Sequence, residues 1–328
     1  MDQRWRDAVL LLIASGATIG ALTLRATEGD RSRVEADALT PNAIAPPQGA
    51  HEVRPPASGG VAGAAPAAIA ASCSFEEPAS DDRVERAGPL GARVFVDTNT
   101  VRDDGVYSLV VHLHAGDAAR KVTAAPRLDA VLATIDRGPT SSHYAELVAS
   151  RRAWDDLVAG IDRTVADHIG RPARAERVIV SSFSAGYAGV DAILTRASDD
   201  PALVGLVLLD SLYAGYGPSG PPVTRAEVVR FDAFARRALE PSRRSFALTH
   251  SEVATTGYAS TREVADLFVR ELALRDDPVS ASATDGLAPT RLASEQGVTV
   301  RGYAGSNAAA HCAHLRLLPE LVRRALDR

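Results

Sequence analysis

The most constraining stretch of this chain runs Val178-Ile179-Val180-Ser181-Ser182-Phe183-Ser184-Ala185-Gly186-Tyr187-Ala188-Gly189-Val190. An apolar β-type run enters a tight turn of small residues and leaves it as a helix. Such a turn brings strand and helix backbones almost into contact, so the positions two before and two after its centre must be small. Here they are Ser182 and Gly186, around a central Ser184. From Gly91 onward the flanking pattern repeats this alternation. Strands are expected at Ala92–Asp97, Tyr107–His112, Ala130–Ile135, Arg177–Ser181, Leu203–Leu209, Ser245–Thr249 and Val298–Tyr303. Helices are expected at Ala145–His168, Gly186–Ala197, Arg225–Leu239, Ser260–Leu274 and from about His314 to Leu326, with Ser260 and Glu263 as a capping box. Several strands are continuous apolar runs, as in Leu206-Val207-Leu208-Leu209. That pattern predicts an α/β fold with a mostly parallel central sheet covered by helices on both faces.

The turn resembles the G-x-S-x-G elbow of the α/β-hydrolase family, with Ser182 in place of the first glycine. The resemblance covers roughly Gly91 to Arg328. It implies a catalytic serine, Ser184, followed in chain order by an acid and a histidine. Asp210 stands at the end of the strand after the elbow helix, where open α/β sheets place their sites. Glu252, after the next strand, is the rival acid. The loop after the last strand supplies two histidines. His311 is favoured as the base, because a loop position can reach inward. His314 shares a face with Leu317, Leu318 and Leu321 and is the alternative. The stretch Val110-Val111-His112-Leu113-His114-Ala115-Gly116 resembles the histidine-glycine loops of lipases and esterases, so the N–H groups of Ala115 or Gly116, with that of Ala185, are the expected oxyanion donors. His112 and His114 lack a third nearby ligand, which argues against a metal. No cofactor is implied.

The implied activity is hydrolysis of a small-molecule or peptide ester or amide through an acyl-enzyme. Esterase, thioesterase and peptidase are not separated by the sequence. The absence of a long apolar lid insertion disfavours a large-lipid lipase. A non-catalytic binding or scaffold module on the same fold is the alternative.

The first quarter of the chain reads differently. Arg4 and Arg6 precede the apolar run Ala8–Leu24. Residues 1–25 are expected to be a signal anchor or signal peptide, the anchor being favoured because Arg25 interrupts any small-x-small cleavage site. Residues 26–72, rich in Ala, Pro and Gly, are expected to be a disordered tether. Residues 73–328 then form the hydrolase domain. This order predicts an exported protein, anchored in the inner membrane or periplasmic or extracellular, in which Cys73 and Cys312 pair as a disulfide. The net charge of −5 gives no footprint for nucleic acid.

Overall fold

The computed structural model describes residues 73–218, 220–279 and 286–328. The expected anchor and tether, residues 1–72, lie outside the described residues. Among the described residues no helix is long and apolar enough to cross a membrane.

The strands are β1 (Val84–Ala87), β2 (Arg93–Val96), β3 (Val106–Leu113), β4 (Val131–Ile135), β5 (Arg174–Phe183), β6 (Leu203–Leu209), β7 (Ser245–His250), β8 (Arg275–Asp277), β9 (Pro289–Glu295) and β10 (Val298–Tyr303). They form one sheet in the order β1-β2-β4-β3-β5-β6-β7-β10-β9-β8. The six central strands from β4 to β10 are parallel. Antiparallel pairs close both edges.

The helices are α1 (Gly116–Val122), α2 (Ser141–Ala145), α3 (Arg151–Ile169), α4 (Tyr187–Ala197), α5 (Val229–Leu239), α6 (Thr261–Glu271), α7 (Ala308–Ala313) and α8 (Leu318–Leu326). The capping box at α6 forms as expected, Ser260 and Glu263 bonding each other's backbone N–H. The continuous apolar strands divide their side chains between two cores. Val178, Val180, Leu206 and Leu208 pack with α3 to α6. Ile179, Phe183, Val207 and Leu209 pack with α1 and α8 on the opposite face. Each such fully buried side chain contributes about 1.5–3 kcal/mol, so shifting a strand by one residue is strongly disfavoured. The central strands therefore hold fixed ends, and their C-terminal ends carry the polar residues described next.

Two expectations are corrected. The helix expected over Ala145–His168 begins only at Arg151, because the Ser150 side chain caps it, accepting from the Ala153 N–H. The closing helical region starts earlier than His314: Asn307 caps α7, which places His311 on a helix and not in a loop.

Candidate active site

Non-glycine residues with positive φ mark where the backbone is held against its preference. Five of them fall in three turns at one end of the sheet: His114 (75°) and Ala115 (59°) after β3, Ser184 (48°) after β5, and Asp210 (41°) and Leu212 (121°) after β6.

Ser184 keeps its strained backbone through close contacts. A Cβ on Gly186 would lie 2.3 Å from the Leu113 carbonyl oxygen, so strand β3 and the elbow approach closely enough to admit only glycine. Ser182 is more than a small residue at a crowded position. Ser211 Oγ donates to the Ser184 carbonyl at 2.9 Å. Having used its one proton there, Ser211 accepts from Ser182 Oγ at 2.8 Å. A glycine at 182 would lose this chain. Ser184 is 1% exposed and its Oγ has no hydrogen-bond partner.

Asp210 is fully buried. Its Oδ1 accepts from the Ser251 N–H at 2.9 Å and from the Thr261 hydroxyl, and its Oδ2 lies 2.6 Å from His311 Nδ1. Burial alone would raise the pKa of this carboxyl. The His314 and His311 rings and Ser251 outweigh burial and hold it well below the usual carboxylate range. Asp210 is thus an anion, which assigns the Nδ1 proton to His311 and leaves Nε2 free to act as a base. Nε2 is buried without a partner, and the ring lies 4.4 Å from that of Phe183, centre to centre. The hydrogen bond expected between Ser184 and His311 is not formed, since both atoms lack partners. Such contacts often tighten only when substrate binds.

Glu252 does not approach Asp210's position. Its backbone N–H donates to Gly305 O at 2.9 Å and its carboxylate accepts from the Gly305 N–H at 3.3 Å. It is a partly exposed latch between the loops after β7 and β10. His314 is fully buried, with Nδ1 2.8 Å from Thr249 Oγ1.

The loop after β3 narrows the oxyanion expectation. Gly116 N–H donates to the Asp136 carboxylate at 3.0 and 3.2 Å. The Ala115 N–H makes no hydrogen bond among the described residues. Ala185 lies in the first turn after the elbow, where amides have no intrahelical acceptor. His114 Nδ1 lies 2.9 Å from the Tyr144 hydroxyl, which also accepts from Arg137 N–H at 2.9 Å, and this braces the loop. His112 Nδ1 lies 3.1 Å from Ser181 Oγ. The signal for Asp136 and Tyr144 was present in the polar stretch after β4, but periodicity carries no information on which loop atoms meet. Cys73 and Cys312 form a disulfide, with α-carbons 5.4 Å apart.

No protein-family model matches the chain, and no curated protein matches it. Solved structures resemble it at a distance. An enterochelin esterase from Shigella flexneri is 14% identical with a TM-score of 0.42, over 78% of this chain and 61% of that one. An S-formylglutathione hydrolase from Staphylococcus aureus is 11% identical with a TM-score of 0.40, over 76% and 100%. A siderophore hydrolase from Aspergillus nidulans is 11% identical with a TM-score of 0.38, over 74% and 95%. The chain spans about three fifths of the length of the Shigella enzyme. The parallel sheet covered on both faces, its antiparallel edges and the strand–turn–helix at Ser184 on a central strand make the architecture an α/β-hydrolase fold.

Proposed function

We propose that this chain is a serine hydrolase that cleaves a small-molecule or peptide ester or amide through an acyl-enzyme. The observation that carries this reading is the buried Asp210–His311 pair, its free Nε2 in the same buried end of the sheet as an unpartnered Ser184 Oγ on a strained elbow. Ser184 Oγ attacks the substrate carbonyl carbon while His311 Nε2 takes its proton. The carbonyl oxygen becomes an oxyanion and receives the N–H groups of Ala115 and Ala185. The bond to the leaving group then breaks, and His311 returns the proton to the departing oxygen or nitrogen. A water molecule, deprotonated by the same ring, attacks the acyl carbon. The acid departs and Ser184 regains its proton. Asp210 stays ionised throughout and stabilises the imidazolium.

The same reading places the protein outside the cytoplasm, at the cell envelope. The Cys73–Cys312 disulfide suits an oxidising compartment, and the Arg-flanked apolar run Ala8–Leu24 suits export.

Two measurements test the proposal. Ser184→Ala is expected to lower kcat on p-nitrophenyl acetate by on the order of 10⁶ and to end labelling by a fluorophosphonate, with an unchanged melting temperature. Undiminished turnover in that variant sinks the assignment. For the location, recovery of the native protein in the cytosol with both thiols free overturns the envelope reading.

A further inference from the structure

His314 takes no part in the reaction above, yet it is built into the frame of the site. Its ring is fully buried, three residues beyond His311, and stands edge-on to Tyr303 with ring centres 5.3 Å apart. Its Nδ1 lies 2.8 Å from Thr249 Oγ1. The same hydroxyl oxygen accepts the backbone N–H of Asp210 at 3.0 Å. A hydroxyl has one proton to give. The acceptors within reach are His314 Nδ1 and Leu208 O, and Leu208 O is 3.4 Å away. The shorter contact is the better bond, so the proton goes to His314. His314 Nδ1 is therefore unprotonated and the ring's single proton sits on Nε2. Burial pushes this ring down to about 4, against the pull of Asp210, so it is neutral at pH 7 and able to accept.

Asp210 needs such support because its backbone sits at a φ of 41°, a conformation that persists only when the surroundings over-determine it. Ser251, Thr261 and His311 fix the carboxylate. Thr249 fixes the peptide N–H. We propose that His314 is a positioning residue for the acid: by accepting the Thr249 proton it keeps the hydroxyl oxygen turned to the Asp210 N–H, and so holds the strained turn that aims the carboxylate at His311. Two histidines on one helical segment clasp a single aspartate, one at its carboxylate and one, through a hydroxyl, at its peptide. This rests on reading Asp210 as the orienting acid.

The test has two readouts on the full chain. Nitrogen-15 NMR of the histidine-labelled protein at pH 7 reports the tautomer whether or not the protein turns over an ester. A neutral His314 with its proton on Nε2 is expected; a proton on Nδ1, or an imidazolium, overturns the proposal. Kinetics on p-nitrophenyl acetate report the positioning. His314→Leu is expected to lower kcat about tenfold to a hundredfold with KM changed less than about twofold. His314→Asn, whose amide oxygen can take the place of Nδ1 as acceptor, is expected to recover most of that loss. Thr249→Val should lose as much as His314→Leu, and the double variant no more than either alone. Should His314→Leu fail to fold, Thr249→Val and the tautomer still decide. Equal losses in the Leu and Asn variants, or additive losses in the double variant, overturn the role. A wild-type chain inert to both the ester and a fluorophosphonate removes the hydrolase reading and the positioning role with it, while the tautomer still decides the hydrogen-bond chain.

Discussion

Ser184 and Asp210 sit at the ends of neighbouring parallel strands with nearly the same backbone, φ 48° and 41°, and are held there by different means. At the elbow the restraint is mainly shape. Gly186 meets the Leu113 carbonyl, and the Ser182–Ser211 pair pins the Ser184 carbonyl, while the Ser184 hydroxyl stays unpartnered. At the acid turn the restraint is polar, with donors on the carboxylate and an acceptor for the amide. On the proposed function, the difference follows from what each side chain must do. A nucleophile tied up by hydrogen bonds would be slow to attack, so its geometry has to come from its neighbours' bulk. A buried carboxylate without donors would neutralise itself, so the groups that stabilise its charge also orient it. Beneath each turn lies a buried histidine bonded to a hydroxyl, His112 to Ser181 and His314 to Thr249.

The largest expected effect breaks the polar side. Asp210→Asn is expected to lower kcat by about 10⁴, as loss of the correct imidazole tautomer does, whereas Glu252→Gln should stay within a few-fold. A dead Glu252→Gln beside an active Asp210→Asn would move the acid to the other loop. Next comes acid stability. Burial lowers His112 to about 3 and His314 to about 4. Both folded values lie below the unfolded value of about 6.5, so the unfolded chain binds more protons below that pH. Stability is then fully present above about pH 6.5 and is expected to fall by about 2 kcal/mol for each ring by pH 5. Asp210, depressed below the unfolded carboxylate value of about 3.9, adds its own loss only in more acid solution. Urea melts from pH 7 to 5 measure this; His112→Asn and His314→Asn should each remove about 2 kcal/mol of the loss, and His114 and His250, which burial also lowers, add to the remainder. A flat wild-type profile would falsify the neutral, buried state of both rings.

The two smaller predictions address the shape side. Gly186→Ala drives a methyl into a backbone carbonyl and is expected to cost about 3 kcal/mol in a denaturant melt. Were it silent, the elbow would owe its geometry to hydrogen bonds, as the acid turn does. Ser182→Ala removes one buried hydrogen bond and is expected to cost about 1 kcal/mol, with a modest fall in kcat. A larger loss than that of Gly186→Ala would show that the serine chain is the principal restraint.

The centre of the sheet is legible in the sequence because its strands are covered on both faces and read as unbroken apolar runs. Leu203–Leu209 and Val298–Tyr303 have the bounds their residues suggest. The edges are not. β1 has three exposed residues of four, and β8, Arg-Asp-Asp, is exposed throughout, so neither shows a hydrophobic period. Leu147 and Val148 look like helix positions but are buried in the turn before Ser150. The alanines before His311 form a helix whose only sequence signal is Asn307, which is why a loop is expected there. At the site, Ser184 and the strand-end position of Asp210 can be read from the pattern of the chain. The apportioning of His311 and His314 cannot, because residues three apart on a helical segment look the same way and only their partners distinguish them.

The disulfide between Cys73 and Cys312 gives the fold a topology that its sheet alone does not have. The bond closes residues 73 to 312 into a covalent ring, within which Ser184, Asp210 and His311 all lie. A protease that nicked any exposed loop of this ring would open it into a line without releasing a fragment. The severed halves would still travel as one mass until a reductant reached the sulfurs. Because the closing sulfur belongs to the residue next to His311, the cross-link meets the chain one residue from that ring, and each of the three side chains is joined to the others by two covalent paths. A single cleavage in the ring thus leaves His311 joined to Ser184 and Asp210.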